Sequence, residues 1–484
     1  MLPTKARRFA VPALIGLVVA AQAAAAGAVH WPFFGGDNGR SGNQPVDEGV
    51  PPAAFLYSKA DAPSAAIVTS IITSAGMPAN QRVIYGTADG RVHLRTLESG
   101  AEVGPAGGHP VSTEPNAFGD GIFGSVSFGE TSSPAGLGQV FAAHNGPLGV
   151  EIAQIDEATG GLVRDDPVVG AEGFSINSSV MLTGPAADTG NRALFFVAEN
   201  DTTGVSALFR VPITAAATTG ATIGASTNTG DIRATPEASP TLVFLAAGAP
   251  YIAVGTLDGK VLTFKASDLA AGPSATLGVA GEEVQTPSVP VTTSGMTPGG
   301  MNSGTDRAPF IYVARRTDSN TNTVVHKLGI TDATTPFTSA ASPTLPGAAA
   351  PALATDQEIA NGVADEGSVF VTTESNIYAV STSGLAVTAK LSATDLEGGT
   401  SGFSTTTPVA SGDVVFVARD SGEQLALSSA TLQPLPASEF SQPDANTGST
   451  SSVGQPSISR RFVQFASDKG LFVYRLAAPA TPPG

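Results

Sequence analysis

The chain has 484 residues and no cysteine, so it is long enough for a large buried core but excludes any fold stapled by disulfides. Its formal charge of −17, from 41 acidic against 24 basic residues, repels phosphate backbones and excludes nucleic acid as a natural partner. With 56 glycines, 36 prolines and only 13% charged residues, the composition suits many short strands joined by tight turns.

Residues 1–28 read as a secretory signal. Lys5, Arg7 and Arg8 form the basic region and Phe9 to Val19 the apolar one. Ala24-Ala25-Ala26 and Ala26-Gly27-Ala28 both offer a small-residue cleavage site. Pro12, Gly16 and the short apolar run argue against a membrane anchor. Removing the three basic residues takes the formal charge from −17 to −20. The expected location is secreted or in the cell envelope, with no membrane insertion after cleavage. Lacking cysteine, the chain cannot be a lipoprotein, and packing and backbone hydrogen bonds must hold it together.

Trp31 to Gly42 reads as an anchored loop of aromatics followed by Gly, Asp and Asn, and Ala54–Tyr57 as a short apolar strand. Beyond it one unit recurs. Gly86-Thr87-Ala88-Asp89-Gly90-Arg91-Val92 and Gly255-Thr256-Leu257-Asp258-Gly259-Lys260-Val261 match in register, each a tight turn between two apolar strands. The first strand of each pair, B, is placed at 83–85, 139–142, 194–198, 251–254, 310–314, 368–371, 414–418 and 462–465. The second, C, follows each turn, so there are eight units. An inner strand, A, precedes each pair and is marked by a small hydroxyl residue and proline, as at Ser133-Pro134, Ser239-Pro240, Thr286-Pro287 and Thr407-Pro408. Units of roughly 46–64 residues fit propeller blades.

The last unit ends after its C strand at Leu471–Leu476, and Ala54–Tyr57 precedes the first. Pairing the two closes a ring and removes two exposed sheet edges, which an open solenoid would leave bare. The fold expected is all-β: one eight-bladed β-propeller of four-stranded antiparallel blades over residues 29–478, closed by an N-terminal strand, with 479–484 a disordered Pro/Ala tail.

The Trp-Pro-x-x-Gly-x-Asp entry at Trp31, the Ser-Pro strand starts and the Gly-Thr-x-Asp-Gly turns together resemble the PQQ-binding-like (quinoprotein alcohol dehydrogenase-like) β-propeller repeat family. That family includes quinone-dependent alcohol dehydrogenases and non-catalytic envelope scaffolds, such as the propeller subunit of the outer-membrane protein assembly machine. Its dehydrogenases clamp the cofactor between a tryptophan and a disulfide of adjacent cysteines, beside calcium held by Glu, Asn and Asp. Here there is no cysteine, Trp31 is the only tryptophan, and no acidic cluster matches the calcium ligands. No catalytic, cofactor-binding or metal residue is carried over, and no cofactor is expected.

Other motifs have plainer readings. Gly119-Asp120-Gly121-Ile122-Phe123-Gly124 has dinucleotide-loop spacing but runs into alternating residues where a helix is needed. His30, His93, His109, His144 and His326 are scattered without metal-ligand spacing along the chain. The Asp-rich Asp356–Glu366 loop lacks an EF-hand pattern. Asp89 and Asp258 sit in B–C turns, where Asp bonds its own backbone. Phe128, Phe174 and Phe403 each precede an A strand by a similar interval. They read either as interblade packing or as an apolar contact patch on the face shared by the D–A loops and B–C turns. The function expected is an exported, monomeric, non-enzymatic scaffold that binds a protein or surface polymer through that face, with Phe128, Phe174, Phe403, Asp89 and Asp258 as binding residues. The alternative is a quinone-dependent oxidoreductase with a degenerate site. A carbohydrate-active enzyme lacks its paired carboxylates and aromatic platforms.

Overall fold

The computed structural model describes residues 43–44, 50–59, 71–74, 81–106, 108–110, 127–130, 138–176, 178–183, 192–200, 202–214, 221–245, 250–292, 296–297, 301–302, 310–330, 335–360, 363–396, 401–403, 406–435, 455–459 and 461–477. The signal segment, Trp31, the Gly119–Gly124 motif and the C-terminal tail lie outside them.

Eight small sheets form an eight-bladed propeller whose strands run outward from A to D, with an inner strand reduced to single bridges in blade 5 and no outer D strand among the described residues of blade 7. Blade 1 is Ile72–Thr73, Arg82–Gly86, Arg91–Thr96 and His109–Pro110, and blade 2 is Ser127–Glu130, Gly138–Gly146, Gly149–Asp156 and Leu162–Glu172. Blade 3 centres on Arg192–Asn200 and Val205–Thr214; blade 4 is Thr241–Phe244, Pro250–Gly255, Lys260–Lys265 and Ala275–Thr276. Blade 5 centres on Phe310–Thr317 and Asn322–Gly329, with single bridges at Val284 and Ser288 on its inner side. Blade 6 is Ala354–Thr355, Ser368–Thr372, Asn376–Ser381 and Val387–Ser392. Blade 7 holds Val409–Ser411, Val414–Ala418 and Gln424–Ser428, and blade 8 holds Ser457–Ser459, Phe462–Ser467 and Gly470–Ala477. All eight B strands lie where the repeat places them. Among the described residues no helix is long and apolar enough to cross a membrane.

The two-residue period of a strand explains the ring. Successive side chains point to opposite sheet faces, and here each face meets a different neighbouring blade. In the B strand of blade 3, Leu194, Phe196 and Ala198 pack towards blade 2, while Ala193, Phe195 and Val197 pack towards blade 4. In blade 7, Val415 and Val417 pack against blade 6, and Val414, Phe416 and Ala418 against blade 8. B strands therefore read as continuous apolar runs, because both faces are covered. Eight apolar clusters fill the eight gaps. The last joins Phe462, Leu471 and Val473 of blade 8 to Val83 and Tyr85 of blade 1.

The hydroxyl–proline signature joins the inner strands. Ser179 N donates to Ser239 Oγ at 3.0 Å, Ser239 N to Thr286 Oγ1 at 2.9 Å, and Thr286 N to Pro351 O at 3.0 Å. Each step crosses from one blade to the next. Proline starts the strand without costing a ladder bond, while the hydroxyl before it accepts from the preceding blade. Blade 2 departs from this pattern: its A strand is Ser127–Glu130, upstream of Ser133-Pro134.

The outer strand of blade 8 is Val50–Lys59, paired antiparallel with Gly470–Ala477 through Ala54↔Arg475, Phe55↔Tyr474 and Tyr57↔Val473. Tyr57 then reaches blade 1, its hydroxyl donating to Leu97 O at 2.9 Å. Gln81 Nε2 donates to Ser459 Oγ at 2.6 Å across the same gap. Upstream, Asn43–Gln44 runs parallel to Ala410–Ser411 on the inner strand of blade 7. The N-terminal segment thus touches the inside of one blade and the outside of the next. Deleting residues 29–60 should bare the blade 8 edge and lower the melting temperature markedly. Tyr57→Phe should cost about 1 kcal/mol in denaturant unfolding, the usual net worth of one hydrogen bond.

Candidate functional site

One face of the ring carries the B–C turns and the D–A connections. Its turns are built from glycine at positive φ and side chains that satisfy the local backbone. In blade 1, Gly90 takes φ 76° and Gly90 N donates to Thr87 O at 3.0 Å. Thr87 Oγ1 donates to Asp89 Oδ1 at 2.6 Å, and Arg91 Nε lies 3.3 Å from the same carboxylate. In blade 4, Asp258 N donates to Thr256 Oγ1 at 3.3 Å, and Arg233 of the preceding D–A connection holds Asp258 Oδ1 at 2.7 Å. Asp89 and Asp258 therefore sit in the predicted turns, and both are engaged in holding them.

Several charges on this face are paired, mostly between a B–C end and the connection leading into the same blade. Glu282 and Glu283 of the connection into blade 5 meet Arg315 at 2.6 Å and Arg316 at 2.8 Å. Arg315 Nε also donates to His326 Nε2 at 3.2 Å. Burial, helped by Arg315, pushes the His326 imidazole down to about 4, so it stays neutral and accepts that bond. In blade 7 the buried Arg419 pairs with Glu423 and donates twice to Ser401 O at 3.1 Å.

The phenylalanines do not form the expected loop patch. Phe403 is 0% exposed, packed among Phe370, Val415 and Leu425 between blades 6 and 7. A fully enclosed ring has no surface to offer a partner, so its expected contact role is corrected to interblade packing. Phe174 is half-buried and stands edge-on to Phe209, with centroids 4.9 Å apart, against the core between blades 2 and 3. Phe128 lies within the A strand of blade 2, paired with Val140, and not in the loop before it. Phe174 and Phe403 thus mark two blade gaps.

What the face does expose is aliphatic. Leu148 is 69% exposed at the tip of the blade 2 B–C turn, and Val169 is 58% exposed near the end of that blade's D strand. Val279 is 68% exposed just after the D strand of blade 4. These are the three most exposed large apolar side chains among the described residues, and all stand on the B–C face over blades 2 to 4. The surrounding backbone positions them: Gly173 N donates to Leu148 O at 2.7 Å, Ser226 N to Val169 O at 3.0 Å, and Glu282 N to Val279 O at 3.1 Å. Pro147-Leu148 flanked by Gly146 and Gly149 was the available signal in the sequence, an apolar tip on a two-residue hairpin.

On the opposite face, the A–B connection of blade 6 forms a hairpin of Glu358–Ala360 and Val363–Ala364, docked parallel on Val291–Thr292 of blade 5. Asp356 Oδ1 accepts from Ser368 N at 2.6 Å and Asp365 Oδ1 from Glu358 N at 2.8 Å. Burial pushes Asp356 up to about 6. Burial first, then Asp365 and Asp356, push Glu358 up to about 7.

No protein-family model matches the chain, and no curated protein does. Solved structures do. The quinohemoprotein alcohol dehydrogenase ADHIIG from Pseudomonas putida superposes with a TM-score of 0.57 at 11% identity, over 95% of this chain and 82% of that one. Sqt1 from Saccharomyces cerevisiae gives 0.52 at 12% identity, over 88% of this chain and 100% of its own. BamB from Moraxella catarrhalis gives 0.51 at 13% identity, over 89% and 99%. At such identities the likeness shows the propeller fold alone.

Two measurements test this account. Phe403→Ala should lower unfolding stability by about 3–5 kcal/mol, the cost of a core cavity; an unchanged stability would return the ring to the surface. Asp356 and Glu358 bind protons more tightly when folded than when unfolded, where they titrate near 4. Their presence therefore costs stability at high pH, and that cost is relieved as pH falls through about 7 towards 4. Glu358→Gln should raise the melting temperature at pH 8 by about 1–2 °C and leave it unchanged near pH 4, read by calorimetry.

Proposed function

We propose that the chain is an exported, non-enzymatic scaffold propeller of the PQQ-like repeat type, and that it binds a protein partner through the B–C face. The observation that carries this reading is the exposure of Leu148, Val169 and Val279 on one face of a ring whose other large apolar side chains, among the described residues, are mostly buried. Loops held by a rigid scaffold are where recognition is usually placed, and aliphatic anchors inside a polar rim suit a protein surface. A saccharide polymer would be better served by exposed aromatic platforms. The formal charge of −17 favours a partner with a basic or neutral contact surface and a salt-sensitive association.

Three further considerations support it. The N-terminal pattern of basic, apolar and small residues suits export. The repeat signature suits a family that includes both scaffolds and dehydrogenases. A quinone clamp requires adjacent cysteines and a tryptophan floor, whereas this chain has no cysteine and one tryptophan.

A Leu148→Ser, Val169→Thr, Val279→Ser variant should melt within a few degrees of the parent, since exposed substitutions usually cost little. In affinity capture from an envelope extract it should lose the parent's partner, with affinity down at least about tenfold, or 1.4 kcal/mol. Retention of the same partner by the variant would defeat the reading. In a separate titration with pyrroloquinoline quinone and calcium, the parent should show neither binding nor dye reduction with alcohols. Micromolar binding there would restore the oxidoreductase alternative.

A further inference from the structure

Three donor side chains that lie far apart by the spacing rules of metal motifs are brought together by the register of blade 2. His144 on strand B pairs directly with Glu151 on strand C, and Asp165 on strand D pairs with Ala153, two residues along. All three project from the sheet face that packs Val140, Ala142, Ala153 and Ile155 against blade 1. His144 Nε2 lies 3.0 Å from Asp165 Oδ1, and one donor atom from each of the three residues falls within 4.8 Å of the others.

We propose that blade 2 holds a divalent metal ion between His144, Glu151 and Asp165. His144 and Asp165 are hydrogen-bonded in the metal-free chain, and their 3.0 Å separation also suits two donors sharing an ion at bond lengths of about 2.0–2.2 Å, which sit roughly 3–3.5 Å apart. His144 is 0% exposed, and its Nδ1 has no hydrogen-bond partner in the structure. Its Nε2 faces the Asp165 carboxylate, and Glu151 stands opposite it on the neighbouring strand. The two carboxylates stand within the same 4.8 Å cluster, and like charges this close repel one another. A cation among them removes the repulsion and compensates the burial. One imidazole and two carboxylates suit zinc, manganese, iron(II) or cobalt(II) better than calcium or magnesium, which take oxygen donors. The site lies at the root of the Gly146–Gly149 hairpin whose tip is Leu148. It does not depend on that tip contacting a partner.

The test uses the untagged full chain, stripped with chelator and titrated with cobalt(II) while visible d–d absorption is read, then with zinc(II) by calorimetry and thermal melting. One equivalent of either ion should bind, zinc should raise the melting temperature, and affinity should weaken as acid protonates the ligands. Glu151→Gln and Asp165→Asn should each lose at least about tenfold in cobalt affinity while the metal-free melts stay within a few degrees of the parent. The proposal is overturned if the parent binds no stoichiometric cobalt and gains no thermal stability from zinc. It is equally overturned if both variants bind cobalt as the parent does, since the ion would then sit elsewhere.

Discussion

A blade of this protein cannot be stable alone. Its B strand is apolar on both sides, and four short strands cannot cover both of their own faces. Each face is buried only when a neighbouring blade is laid against it, and a fully buried aliphatic or aromatic side chain contributes about 1.5–3 kcal/mol. The Leu194, Phe196 and Ala198 set needs blade 2, and the Ala193, Phe195 and Val197 set needs blade 4. Applied eight times, this requirement leaves two bare faces unless the ring closes. Closure is therefore the constraint on which the other features depend.

The chain meets it at three radii. Near the axis, hydroxyl groups before the inner strands accept amides from the preceding blade. Through the middle of the gap, Phe462, Leu471, Val83 and Tyr85 form the eighth apolar cluster. At the rim, Val50–Lys59 completes a sheet begun more than 400 residues later. Local contacts dominate within each blade, so the contacts of the N-terminal segment and blade 1 with blades 7 and 8 are the long-range ones, and closure must await synthesis of the whole chain.

A closed ring also frees the turns from structural duty in unequal degrees. In blade 4 the B–C turn is tied down by Arg233 and by the glycines it packs on, since a Cβ on Gly259 would come within 2.6 Å of the Gly278 backbone. In blade 2 the turn is only Pro147-Leu148, with an aliphatic side chain standing out of it. The same short hairpin fixes the register that sets His144 against Glu151. Surface presentation and ligand geometry in this blade thus share one local cause.

The strand order, the number of blades and the closing pair were legible in the sequence. The Gly-Thr-x-Asp-Gly turns, the hydroxyl–proline starts and a two-residue apolar period are local signals that need no partner to be read. The turn residues Asp89 and Asp258 were legible for the same reason, because their turn hydrogen bonds run to Thr87 and Thr256 two residues away. The fate of Phe128, Phe174 and Phe403 was not. Whether an aromatic ring is a surface anchor or core depends on what the adjacent blade places over it, and Phe370, Val415 and Leu425 enclose Phe403. Nor was the meeting of His144, Glu151 and Asp165 visible, since sheet register across three strands, and not spacing along one, decides which side chains converge. The repeat determined the ring; only the packing of blade on blade decided which residues it hides and which it presents.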